Sequence, residues 1–432
     1  MTNTPDINLR SVEPDWNDRF ARVQRRTMGV LVVTQIVGTV GTGVAPSIGV
    51  LLASDVLHNE TWAGLARTTA TLGAALLGLP LGNLAARRGR RFSLATGWWL
   101  AAAGAAILVP AAQLKLVVPL FLGLLLIGSG SAVALQSRFA ATDLANPGHK
   151  ARALALIVWV GTLGSVIGPN LGAPGTLVGD ATGLSVYAGA FLIAAICLGI
   201  AGTVVFVLLR PDPLLLLTES GLADASTLPT RRRGGIRRIL AEIRSNKPAR
   251  IAVIAILVAQ IVMVTVMTMT PVHIVHQGGT VNLVGITISL HIVGMYALAP
   301  LVGWITDRCG SRLAIWAGIG IFVVSLAFAV LRSDESHWVV ASLILLGVGW
   351  SFVNVAGSAL FTSNVSTEVR ASSQGGIDAL ANLCGATMAF LAGPLMAATS
   401  FATLAVIAMV MLIPLACVVL RRIPETIDYR VP

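Results

Sequence analysis

Charge is scarce in this sequence. Asp, Glu, Lys and Arg make up 11% of its 432 residues, against 55% hydrophobic residues, and the mean hydropathy is +0.83. Soluble domains carry about twice that share of charge, so a water-soluble globule is excluded and lipid becomes the main solvent. Cysteine is scarce too. Cys197, Cys309, Cys384 and Cys417 each stand alone inside or beside an apolar stretch, which excludes a disulfide framework and a cysteine zinc site. No GxxxxGK[ST] phosphate loop occurs, so ATP is not the direct energy source. No nucleophile can be grouped with a base and an orienting partner, so the chain does not read as an enzyme and implies no cofactor. The net charge of +11 would suit nucleic acid, but the placement of the arginines argues against that partner.

What the sequence does have is apolar runs long enough to cross a hydrocarbon core of about 30 Å as helix, which takes roughly 18 residues or more. Twelve occur, at 28–52, 62–85, 93–112, 116–137, 152–172, 185–209, 250–272, 282–304, 313–331, 338–359, 375–396 and 401–420. With a cytoplasmic N-terminus, only Arg67, Lys115 and Arg332 of the 30 Lys and Arg residues fall toward the outside. The excess of basic residues on cytoplasmic loops therefore predicts a multi-pass protein of the inner (cytoplasmic) membrane with both termini cytoplasmic. The polar start of the chain lacks the short apolar core and cleavage site of a signal peptide, so the first span is expected to act as an uncleaved signal.

The predicted organisation is a cytoplasmic segment at 1–27, a six-helix bundle at 28–209, a basic linker at 210–249, a second bundle at 250–420 and a tail at 421–432. In the linker, Ile236, Ile239, Leu240 and Ile243 follow helical spacing opposite Arg237, Arg238, Glu242 and Arg244. That is the pattern of a helix lying on an anionic leaflet, with a disordered basic linker as the plain alternative. Trp16, Phe20 and Val23 beside Arg19, Arg22, Arg25 and Arg26 predict a second such helix ahead of the first span.

The two halves share a motif. Gly82-Asn-Leu-Ala-Ala-Arg87-Arg88-Gly89-Arg90-Arg91 follows the second span, and Gly303-Trp-Ile-Thr-Asp307-Arg308-Cys-Gly310-Ser-Arg312 follows the eighth. The first glycine of each allows close helix approach, the second a tight turn, and the arginines can pair with acids or helix C-termini nearby. Arg152 and Arg370 open the fifth and eleventh spans, which contain Gly168-Pro169 and Gly393-Pro394. Together these features resemble the major facilitator superfamily over essentially the whole chain. The resemblance implies an all-α membrane protein of twelve transmembrane helices in two pseudo-repeats, expected to be a monomer. Gly82, Arg87, Arg88, Gly89, Arg90, Gly303, Asp307, Arg308, Gly310 and Arg312 would then form contacts that break and remake as the halves rock. Arg152 or Arg370 could pair with Asp143 or Asp378. The first copy departs from the family pattern, with Ala86 where the second keeps Asp307.

Few polar groups lie at depth, and those that do mark the candidate substrate site. His291 stands midway along the eighth span with Met295 four residues on, and Met263 and Met267 form another i, i+4 pair in the seventh. Each pair projects from one helix face, and thioethers with an imidazole select Cu(I) over hard cations. Met269, His273 and His276 follow as a possible outer capture path. Met as gap-filler, or a His that binds an organic solute or couples protons, explains the same residues, and Gln260, a turn before Met263, would suit an organic ligand. The MxxxM and HxxxM pair in these two helices is similar to the CcoA-like copper importers, a branch called the CalT family. That resemblance implies Met263, Met267, His291 and Met295 as ligands of copper, which would be substrate rather than cofactor. Relatives in the branch are similar to riboflavin transporters, and Gly164–Gly172 resembles the helix 5 signature of drug and proton antiporters. Uptake of a small organic solute and proton-driven multidrug efflux therefore stay open.

Overall fold

A computed structural model describes residues 13–57, 62–146, 149–220, 246–365 and 367–420, and every regular element among them is helical. Helix α1 (Glu13–Thr42) passes through a π-helical turn (Ala45–Gly49) into α2 (Val50–Leu57). Then come α3 (Ala63–Leu114), α4 (Val117–Ala140), α5 (Lys150–Ile167), a 3-10 turn (Gly168–Leu171), α6 (Gly172–Thr182), α7 (Val186–Leu208) and the short α8 (Pro213–Glu219). The second half holds α9 (Lys247–His276), α10 (Val281–Tyr296), α11 (Ala299–Cys309), α12 (Ser311–Leu331), α13 (Ser336–Asn364), α14 (Thr367–Ala398), α15 (Phe401–Val410) and α16 (Leu412–Leu420).

Eleven stretches among the described residues are long and apolar enough to cross a membrane. One of them counts twice. Straight, the 52 residues of α3 would reach about 78 Å at 1.5 Å per residue, more than twice the hydrocarbon core. It breaks at Gly89, whose φ of 87° and ψ of 173° suit a residue without a Cβ. The two arms fold back on each other, and the Ser93 hydroxyl donates to the Leu81 carbonyl at 2.6 Å. Gly310, at the equivalent place of the second motif, has a φ of 84°. Both motif copies thus turn a helix pair on the same left-handed glycine.

The structure changes the sequence reading at two ends. Residues 13–27 continue the first span as one helix instead of forming a separate surface helix around Trp16, Phe20 and Val23, because nothing there breaks the backbone hydrogen bonding. The fifth span, expected to end at 172, runs on to Thr182, bending where Gly168-Pro169 begins a 3-10 turn, since proline cannot continue the ladder of amide donors. The linker helix predicted from Ile236 to Arg244 lies outside the described residues, as do 1–12 and 421–432.

Packing follows the two halves. One apolar core runs from Val30 to Leu209, and a second gathers residues from Ala249 to Val419 together with Val50, Leu51 and Ala63 of the first half. Those three show where the halves fuse, at the end remote from the arginine-rich motifs. There the Thr68 hydroxyl donates to the Ala386 carbonyl at 2.9 Å. The Asn170 amide donates to the Ser289 hydroxyl at 2.6 Å, and that hydroxyl donates to the Val166 carbonyl at 2.5 Å. Toward the arginine-rich end, Gly82, Gly303 and Gly376 have open space where a side chain would start, and Leu79 and Leu383 are exposed. Hydrogen bonds between membrane helices contribute about 0.6 kcal/mol each on average, so these bonds set the register of a seam that can still open.

Candidate substrate site between the halves

The Met and His residues sit at depth, but not as a packed helix pair. Helices α9 and α10 touch each other lightly, and both lean on α13. Met263, Met267 and Met295 are buried within the second core. His291 is fully buried, and its Nδ1 lies 2.7 Å from the Leu343 carbonyl on α13. A carbonyl only accepts, so Nδ1 carries the hydrogen, and in the neutral ring the lone pair is on Nε2. That Nε2 is buried and has no hydrogen-bond partner. The Arg67 guanidinium, from the first half, is within electrostatic reach of the ring.

The outer capture residues divide. Met269 is buried in packing. His273 is held by structure: its Nε2 donates to the Ser333 carbonyl at 2.7 Å, and its ring stacks on Phe401 at 4.2 Å. His276 alone of the three is exposed.

A second group, largely hidden in the sequence, lies on the inner faces of the second half. The Trp350 indole N–H donates to the Gln260 side-chain oxygen at 3.1 Å, and the Tyr296 ring meets Trp350 edge-on with centroids 5.8 Å apart. Gly385 of α14 closes on Gln260, so α9, α10, α13 and α14 converge here. The first half answers with Arg138, in the last turn of α4. Its Nε is buried and unpartnered, and its charge reaches both the Tyr296 hydroxyl and Asp378. Hydropathy ended the fourth span at 137, which put Arg138 in a loop; the helix in fact runs to Ala140. Trp350 and Tyr296 gave little signal, because an aromatic ring inside a span reads as one more apolar residue.

At the arginine-rich end the first motif is well anchored. Arg90 grips Asp143 through two bonds of 2.8 and 3.1 Å, with both side chains largely buried. Asp143 is therefore taken by Arg90 and not by Arg152. The side chain of Arg370 lies outside the described residues. Asp212, just after α7, accepts the backbone N–H of Arg91 at 2.7 Å and those of Leu214 and Leu215 at 3.0 and 3.3 Å. It caps the second arm of α3 from the end of the neighbouring α7 and supplies a carboxylate beside the turn of a motif that has Ala86. In the second motif, Arg308 lies over the Trp304 ring at 4.6 Å and Arg312 donates to the Leu420 carbonyl at 3.4 Å. Asp307 is exposed and, among the described residues, in no ion pair.

Known proteins agree with this architecture. Residues 30–389, and again 274–429, match the family model described as Major Facilitator Superfamily. The chain is similar to the uncharacterized MFS-type transporter YddS of Bacillus subtilis, at 33% identity over 97% of this chain and 98% of that one. It is also similar to the riboflavin transporter RfnT of Brucella anthropi, at 27% identity over 89% of this chain and 92% of the relative. Among solved structures, the nucleoside transporter NupG superimposes with a TM-score of 0.68 at 15% identity, over 93% of this chain and all of that one (100%). A bacterial homolog of the human lysosomal transporter Spinster, in an inward-facing, unoccupied conformation, gives a TM-score of 0.65 at 15% identity, over 93% and 96% of the two chains.

Proposed function

The chain belongs to the Major Facilitator Superfamily, and from that premise we propose that it moves a small planar organic solute of the flavin type across the membrane by alternating access. The observation that carries this reading is the Gln260, Trp350 and Tyr296 group, faced from the other half by the unpartnered Arg138 Nε. Two aromatic rings give a planar solute an apolar wall, and the amide and guanidinium supply the few directed polar contacts that fix its orientation. Both halves contribute, so the bound solute can be passed from one seam to the other as they rock. The similarity to a riboflavin transporter supports the same solute class.

The proposed direction is uptake, the membrane is the cytoplasmic membrane, and the arginine-rich end faces the cytoplasm, with 28–209 and 250–420 as the moving bodies of a monomer. In that orientation the seam closed by Thr68, Asn170 and Ser289 is the outer one. Copper is the second reading. An imidazole whose Nδ1–H is fixed by a carbonyl presents a bare Nε2 as metal-ligating histidines do, and Met295 lies one turn on. The nearby Arg67 charge weighs against a cation there.

Reconstituted vesicles separate the two. Under the first reading, labelled riboflavin is taken up, Trp350→Ala and Gln260→Ala abolish most of that uptake, and His291→Ala leaves it largely intact. Under the copper reading, Cu(I) enters and His291→Ala or Met295→Ala stops it. Neither solute entering would sink both.

A further inference from the structure

Gln260 of the second half has a counterpart in the first. Gln35-Ile36-Val37 on α1 repeats as Gln260-Ile261-Val262 on α9, and Pro46 and Pro271 follow at the same spacing. The surroundings repeat as well. A side chain begun at Gly161 of α5 would come within 2.9 Å of the Gln35 amide nitrogen, and one begun at Gly385 of α14 within 3.4 Å of the Gln260 amide nitrogen. Each half thus lays a glutamine against a glycine, which leaves the amide room to turn. The Val166 carbonyl of the same α5 accepts the Ser289 hydroxyl of the second half, so the helix that shelters Gln35 borders the interface between the halves.

The two amides differ in what they have left to offer. The Gln260 oxygen takes the Trp350 indole N–H, so its amide N–H groups remain to donate. On α4, Gly128-Ser-Gly130-Ser131 stands where α13 has Gly347-Val-Gly349-Trp350, and Gly128 closes on Ala70 of α3 as Gly347 closes on His291 of α10. Ser131 brings no indole to the first half. Gln35 is 4% exposed, and its oxygen is buried without a hydrogen-bond partner. An acceptor taken out of water and left unpaired is unfavourable, and a site built around one discriminates strongly for the ligand that supplies the missing donor. One half therefore offers a donor and the other an acceptor.

We propose that Gln35 is the second polar specificity group of the substrate site, and that the solute is recognised by an edge carrying an N–H beside a carbonyl, as in an imide or cyclic amide. The solute N–H donates to the Gln35 oxygen, and its carbonyl accepts from the Gln260 amide while the ring lies against Trp350 and Tyr296. The Gln35 oxygen is covered in this conformation, so the bond forms as the halves close round the solute and the amide turns away from Gly161. This rests on the flavin-type reading, since the flavin ring system ends in such an imide.

The test is uptake into reconstituted vesicles of riboflavin and of its 3-methyl derivative, in which a methyl group replaces the imide hydrogen. The parent chain should take up the methyl derivative about ten- to a hundredfold less readily, the scale of one buried hydrogen bond whose acceptor is left unpaired. Gln35→Met is close in size but has no such acceptor, and Gln35→Ala leaves room for the methyl group. Both should lower riboflavin uptake by a similar factor and bring the two solutes within about threefold of each other. Gln35→Met removes an unpaired buried acceptor, so its melting temperature should match or exceed the parent's. A Gln35→Met chain that melts well below the parent would assign Gln35 to packing and overturn the proposal. Discrimination that survives in both variants, or equal entry of the two solutes into the parent, would overturn it and leave the flavin-type reading standing. A parent chain that admits neither solute would overturn that reading and the role of Gln35 with it.

Discussion

The two copies of the loop motif make the same turn and are held in opposite ways. Gly89 and Gly310 share a left-handed backbone with φ of 87° and 84°, so the geometry of the repeat is intact. Around Gly89 the loop is tied to its own half by Arg90 on Asp143 and by Asp212 on the Arg91 amide. Around Gly310 the acid is present as Asp307, yet it is exposed and, among the described residues, unpaired. The copy that lacks the motif acid has recruited carboxylates from elsewhere, while the copy that keeps it leaves it idle. The difference fits a division of labour: the first loop is built to be rigid, and the second keeps a charge free for a partner that meets it only when the arginine-rich end closes.

That contrast breaks most readily at Arg90. Replacing it by Gln strips the partner from a carboxylate that is only 9% exposed, and an uncompensated buried charge costs about 3 kcal/mol or more. Arg90→Gln should therefore lower the melting temperature in detergent more than any other change in either motif, and Arg90→Gln with Asp143→Asn should recover part of the loss. A single variant that melts like the parent would show that the first loop is not anchored this way. Asp212→Asn ranks next. Its side-chain oxygen still accepts one N–H, so the loss is that of a weakened cap, about 1 kcal/mol, seen as a smaller fall in melting temperature. An Asp212→Asn chain that melts with the parent would mean that the borrowed carboxylate does not support the loop.

Much of this fold was legible because lipid imposes one rule, that about twenty apolar residues make a crossing, and the spans found at 185–209, 313–331 and 401–420 fall within two or three residues of the helices. The internal repeat was legible because a left-handed glycine leaves a mark that survives changes around it. The anchoring of the first loop was not. Arg91 and Asp212 are 121 positions apart, and no local pattern links an amide to a carboxylate at that distance. His291 was found as a buried ionisable group, but only the packing of α10 on α13 shows which nitrogen is committed. Arg138 was lost to a boundary error of three residues, the distance from 137 to Ala140, and in a membrane protein that margin separates a loop charge from one carried on a spanning helix.

The last comparison lies with Asp307. Because its side chain is exposed and bears no ion pair among the described residues, Asp307→Asn should leave the melting temperature unchanged within error, as exposed substitutions usually do. If the free carboxylate waits for the closed form of the arginine-rich end, the same variant should still slow transport, because it removes a contact from one state and none from the other, and an equilibrium shifts only by such a difference. Uptake into vesicles by Asp307→Asn, set beside Ala86→Asp in the first copy, separates the two roles. A slowed Asp307→Asn with an unaffected Ala86→Asp supports the division of labour, since only the second loop then depends on its own acid. Equal slowing of both would mean that the two loops meet partners in the same way and that their difference in anchoring is incidental to the cycle.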